Sequence, residues 1–172
     1  GMRYADIRAG LLSFFPSPAL TPGRLNLLRL QHGPGAGARV LVDYAHNPAA
    51  VAGLVDMVRR LPATRRAAVV TAPGDRRDAD IRELGRLCAA FDAVIVKEDE
   101  DRRGRSAGAI AELVVAGLVE GGLAPGRITT IADEPAAVAA LVAGLREGEL
   151  GVVLAEDVGA VLEQVRRAGG VG

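Results

Sequence analysis

Three short stretches carry side chains suited to holding a small charged ligand. Asp43-Tyr44-Ala45-His46-Asn47-Pro48 sets a carboxylate, an imidazole and a carboxamide where the apolar run Arg39–Val42 stops. A carboxylate accepts from hydroxyl groups, an imidazole holds or moves a proton, and an Asn before Pro is a helix cap. Gly74-Asp75-Arg76-Arg77 joins a tight turn to two guanidinium groups, and Lys97-Glu98-Asp99-Glu100-Asp101-Arg102-Arg103-Gly104-Arg105 sets a run of acids before a run of arginines. Guanidinium groups suit carboxylate or phosphate, and clustered acids suit a cation. Each stretch also has a plain reading: Asp43 as a turn residue, His46 as a structural histidine, Asn47 as a cap, and the charged run as a solvated loop.

Three other chemistries lack their residues. No Gly-x-x-x-x-Gly-Lys-Ser/Thr loop and no complete Gly-x-Gly-x-x-Gly after a strand is present, so the chain has no full phosphate cradle or dinucleotide fingerprint. The 2 histidines and 1 cysteine stand at no metal-ligand spacing, and no Ser occupies a nucleophile elbow. Cys88 lies in an apolar helical pattern, where a thiol packs as a small hydrophobe.

The elements that must position these stretches alternate. Short β-rich runs at Arg39–Val42, Ala67–Thr71, Ala93–Val96, Ile128–Ile131 and Val152–Ala155 are each followed by a helical pattern. The helices fall at Pro48–Leu61, Ala79–Ala90, Ser106–Glu120, Pro135–Leu145 and Val158–Ala168. Consecutive βα units predict an α/β, Rossmann-like open and mostly parallel sheet with helices on both faces. Leu25–Leu30 adds an antiparallel edge, for about six strands, and Gly33–Ala38 is a hairpin loop. Ahead of this domain, Tyr4–Phe15 reads as a helix stopped by Pro16, Pro18 and Pro22-Gly23, and the Gly-rich end after Arg167 reads as frayed. In such sheets ligands bind beyond the carboxyl ends of the strands, which brings the three polar stretches to one edge, together with Asp133-Glu134 and Glu156-Asp157.

A chain of 172 residues that is 49% apolar is expected to fold as one domain with a substantial core. Lys plus Arg and Asp plus Glu are both 21, so no overall field favours nucleic acid or an anionic membrane. No apolar run approaches the roughly 20 residues of a membrane span, and a reducing cytoplasm is the expected compartment. Gly1-Met2 reads as a remnant of tag removal ahead of a start.

In order, Thr21-Pro22-Gly23-Arg24, Asp43-Tyr44-Ala45-His46-Asn47-Pro48 and Gly74-Asp75-Arg76-Arg77 resemble the C-terminal domain of the Mur ligase superfamily. The run Lys97–Arg105 is similar to the branch of that superfamily that joins arginine to a poly-aspartate backbone. The resemblance implies residues 1–20 as the end of a preceding central domain, 21–24 as a hinge, and 25–172 as the C-terminal domain. It implies an ATP-dependent amide ligase: a carboxylate is phosphorylated, an amine attacks the acyl phosphate, and phosphate leaves. The P-loop and the Mg²⁺ ligands belong mainly to the central domain, and an ATP-grasp module builds the poly-aspartate primer, so this chain alone is expected to be inactive.

Carried over by position, Arg24 and Asp43 are the implied nucleotide contacts, with His46 and Asn47 shaping the same corner. Arg76, Asp99, Glu100, Asp101 and Arg102 are the implied contacts of the added amino acid. An arginine substrate brings a carboxylate for Arg76 or Arg102 and a guanidinium for the acids. The alternatives are a lobe that adds another amino acid, as in folate polyglutamylating enzymes, and a free-standing nucleotide- or amino-acid-binding module; a possible homo-oligomeric parent is left open.

Overall fold

The computed structural model describes residues 1–13, 17, 19–98 and 101–172. Phe14, Phe15, Pro16 and Pro18, at the end of the first expected helix, and Asp99 and Glu100, in the expected amino-acid site, lie outside the described residues. The strands are β1 Asn26–Leu30, β2 Arg39–Asp43, β3 Arg66–Val70, β4 Ala93–Val96, β5 Ile128–Thr130, β6 Leu150–Leu154 and β7 Gly170–Val171. The helices are α1 Tyr4–Ser13, α2 Pro48–Arg60, α3 Asp78–Cys88, α4 Ala109–Glu120, α5 Glu134–Gly144 and α6 Val158–Arg167.

Among the described residues seven strands form one sheet in the order β5-β4-β3-β6-β2-β1-β7. The five strands β2 to β6 are mutually parallel, as the βα alternation predicts, and β1 is antiparallel to β2. The last strand of the parallel set in sequence, β6, is inserted between β2 and β3, and all five of its residues are buried. A strand buried on both faces reads as a continuous apolar run, which Leu150-Gly151-Val152-Val153-Leu154 is.

Two cores flank the sheet. Val51, Leu54 and Val58 of α2, Ile81 and Leu84 of α3, and Ile110, Val114 and Leu118 of α4 pack on one face. Val138 and Leu141 of α5 and Val161, Leu162 and Val165 of α6 pack on the other. The helix after β6 therefore leaves on the face opposite to those after β2 and β3. That divergence opens a crevice at the carboxyl end of β6, the topological switch point where such sheets bind ligands.

Helix starts follow local chemistry. Asn47, Asp133 and Asp157 each cap a helix by accepting from a backbone N–H three residues on, and Pro48 and Pro135 occupy the first turns of α2 and α5. Helix α4 starts at Ala109 rather than at Ser106, because Gly108 at φ 85° breaks the helical backbone before it.

The C-terminal end corrects the frayed reading. Gly170 and Val171 pair antiparallel with Leu30 and Arg29, and Gln31 N–H donates to Gly169 O at 2.9 Å. The outer groups of β1 would otherwise be an unpaired edge, so β7 rather than β1 closes that side of the sheet.

Candidate functional site

At the first corner, the linker is stitched to the end of β2. Asp43 is 8% exposed, and its Oδ2 accepts from Leu25 N–H at 2.8 Å. Asn26, 1% exposed, accepts from Gly23 N–H at 2.7 Å and donates to Thr21 O at 3.0 Å and Arg24 O at 3.3 Å. Tyr44 N–H closes the same stitch on Gly23 O at 3.0 Å. These bonds hold Leu25 at φ 51°, a left-handed conformation costly for a residue with a branched side chain.

Above the stitch, the Arg24 guanidinium carbon stands 5.8 Å from the centre of the Tyr44 ring, a cation–π distance, and the Tyr44 and His46 rings lie 4.9 Å apart. His46 Nδ1 is 2.9 Å from Tyr44 O. A carbonyl oxygen only accepts, so Nδ1 carries the proton in this bond and Nε2 is the other ring nitrogen. Asn47 turns away into its cap, accepting from Ala50 N–H at 3.0 Å.

The second corner is the loop after β3. Arg105 spans it, donating from Nε to Gly74 O at 2.8 Å and from Nη2 to Arg76 O at 2.6 Å, with Nη1 2.8 Å from Asp78 Oδ1. A Cβ on Gly74 would stand 2.4 Å from Arg102 O, so glycine is what lets the loop after β4 lie against the loop after β3. The Arg76 side chain is turned toward Asp75, whose Oδ1 lies 3.6 Å from Nε, and that buried Nε has no hydrogen-bond partner. The buried Thr71 hydroxyl, just past β3, has none either.

Between the corners lies a cleft of about 210 Å³. Tyr44 and His46 form one wall, and Thr71, Asp75 and Arg76 another; Asp101, Arg103 and Glu156 complete it. Asp101 accepts from Arg103 N–H at 3.2 Å and pairs with Arg103 Nε at 2.6 Å. Of the residues expected from sequence, the structure thus brings His46, Arg76 and Asp101 together around the cleft. Arg24, over the Tyr44 ring, and Asp43, bonded to Leu25 N–H, do not line it, and Arg102 is exposed and does not line it either, whereas Arg103 does. The positive φ of 48° at Arg103 marks the turn that separates these two neighbours.

Sequence reasoning missed a buried centre beside the cleft. Lys97, grouped with an exposed charged run, is 0% exposed. Its Nζ lies 2.7 Å from Glu156 Oε2 and 3.1 Å from Glu134 Oε1. The available signal was topological: Lys97 continues the apolar strand β4, and Glu134 and Glu156 stand where β5 and β6 hand over to their helices. The other missed residue, Asn26, opens β1 in an alternating pattern where a polar residue looks solvent-facing.

Cys88 is fully buried, and burial pushes its thiol up to about 12, which removes it as a nucleophile at neutral pH. Among the described residues no group of three or more His, Cys, Asp or Glu is arranged to hold a metal ion, and no helix is long and apolar enough to cross a membrane.

The family model described as Mur ligase, glutamate ligase domain, matches residues 23–156, from the stitched linker to Glu156 in the cleft wall. The chain is 40% identical over 168 residues to a cyanophycin synthetase of Synechocystis sp., covering 96% of this chain but 18% of that protein. It is 32% identical over 142 residues to the UDP-N-acetylmuramoyl-L-alanyl-D-glutamate–2,6-diaminopimelate ligase of Corynebacterium glutamicum, covering 81% of this chain and 26% of the relative. Among solved structures, E. coli FolC in complex with DHPP and ADP superposes with a TM-score of 0.68 at 23% identity, covering 98% of this chain and 35% of that one. The chain thus spans less than a fifth of the cyanophycin synthetase it matches, and over that span it belongs to the Mur ligase family, as its C-terminal domain.

Proposed function

We propose that this chain is the C-terminal lobe of an ATP-dependent amide ligase of the cyanophycin synthetase type, and that its cleft binds arginine. The observation that carries this is the cleft's charge pattern. Asp75, Asp101 and Glu156 stand around Arg76, whose Nε is buried without a hydrogen-bond partner. An α-carboxylate supplies the acceptor that Arg76 Nε lacks, and a guanidinium matches the acids. Glutamate as the added group would bring a second carboxylate into that acidic wall. The identity to cyanophycin synthetase supports the same substrate.

In the parent, ATP phosphorylates an aspartate side chain of a poly-aspartate primer, releasing ADP. The arginine α-amino nitrogen then attacks the acyl carbon, the C–O bond to phosphate breaks, the nitrogen loses a proton, and an amide remains. This lobe presents the amine and helps to exclude water from the acyl phosphate. Arg24, Tyr44 and His46 face the nucleotide. Residues 1–20 end the preceding central domain, which supplies the P-loop and most of the Mg²⁺ ligands, while a separate ATP-grasp module extends the primer. Linker residues 21–24 move with the lobe, because Asn26 and Tyr44 hold them to it.

Titration of the chain by NMR with arginine, agmatine and glutamate tests this. Arginine is expected to bind weakly and to shift amides around Arg76 and Glu156, agmatine to bind more weakly, and Arg76→Ala to abolish the difference between them. Glutamate binding as well as arginine would overturn the assignment. The chain alone is expected to release no ADP from ATP.

A further inference from the structure

Among the described residues Lys97 is the largest fully buried side chain, and it stands at the carboxyl end of β4, two strands from β6. An ammonium offers three donors and no acceptor, so burying it demands carboxylates or carbonyls around it. Glu134 and Glu156 answer that demand from two other elements, the start of α5 and the β6–α6 loop. Glu134 is the hub. Its Oε1 meets Lys97 Nζ and accepts from Glu156 N–H at 2.9 Å, and its Oε2 accepts from Asp157 N–H at 3.0 Å. One residue thus fixes both the backbone and, through Lys97, the side chain of the loop that forms the cleft wall.

A buried ion triad is a poor device for stability, since desolvation offsets most of the attraction and apolar residues of similar volume serve as well. Its position explains it better. Of the two carboxylates that meet this ammonium, Glu156 is the one that reaches the cleft: its side chain is 32% exposed, while Lys97 is closed off and Glu134 nearly so. Without Lys97 the two carboxylates would repel, and Glu156 would leave the wall.

We propose that Lys97 is a positioning residue for substrate specificity: by tying Glu156 to Glu134 it fixes one carboxylate in the cleft wall, at the place that receives the cationic end of the added amino acid. This rests on the proposed arginine site for its ligand, but its structural half stands alone.

The test uses the full chain in two variants. Lys97→Met is expected to weaken arginine binding at least tenfold while leaving ADP binding within twofold. It should also speed exchange of the Glu156 and Asp157 amides, with or without ligand. Glu156→Gln leaves Lys97 paired with Glu134 and should weaken arginine tenfold by itself.

Equal losses for arginine and ADP, or undiminished arginine binding by Glu156→Gln, would each overturn the proposal, and the second applies even if Lys97→Met fails to fold. If the parent chain binds no arginine while Lys97→Met still exposes the two amides, the functional assignment fails and the positioning role stands.

Discussion

Replacing Asn26 with Ala tests whether the linker is part of the lobe or a free tether. The side chain is 1% exposed and makes three hydrogen bonds, to Gly23 N–H, Thr21 O and Arg24 O. At about 1 kcal/mol net for each of the three bonds the loss comes to about 3 kcal/mol, before any added cost for stranding the buried Gly23 N–H. With a urea slope of roughly 2.5 kcal/mol/M for a domain of this size, the midpoint should fall by about 1.2 M with the slope unchanged. Asn26→Asp keeps the acceptor for Gly23 but aims a carboxylate at two carbonyl oxygens that only accept, so it should destabilise at least as much. Urea unfolding read by circular dichroism, with amide exchange at Gly23, Leu25 and Tyr44, is the assay. A loss below about 0.5 kcal/mol, or faster linker exchange with unchanged global stability, would refute the integral linker.

Two further outcomes follow from close packing and burial. Gly74→Ala places a methyl 2.4 Å from Arg102 O, a backbone atom that cannot rotate aside, so the loop after β4 must shift; a stability loss of about 1–3 kcal/mol in urea and weaker arginine binding with unchanged ADP binding are expected in titrations. Cys88 in the native chain should resist iodoacetamide at pH 8 and react promptly in urea, and because its folded value near 12 lies above the unfolded one, stability should fall as pH rises past about 9.

The parts of the fold that were legible in the sequence are those governed by local rules. Alternating βα units imply parallel strands, and Asn47-Pro48 announces its helix by the chemistry of its side chain. Strand β7 was not legible, because two residues carry no periodicity and Gly170 pairs only because β1 offers an open edge more than a hundred residues upstream. Asn26 and Lys97 were missed for the same physical reason. A buried polar side chain is stabilised by partners far away in sequence, so nothing in its neighbours distinguishes it from a solvated one.

The same distinction separates the motifs from the centre that supports them. Asp43, Gly74 and Arg76 are recognisable as motif residues, yet in the structure Asp43 spends an oxygen on Leu25 N–H, and Gly74 serves close backbone contact. Arg76 is the member with a donor still unmatched. Its loop is held by Arg105, and the opposite wall by Lys97 through Glu134, so the two residues that set the cleft's geometry both come from the segment after β4. That segment begins with a buried lysine and ends with an arginine bonded to the neighbouring loop, and Asp101 and Arg103 between them face the cleft. Exchange of this one segment between relatives that add different amino acids would therefore alter charge and geometry together, whereas exchange of the Asp43–Pro48 corner would leave the amino-acid wall intact.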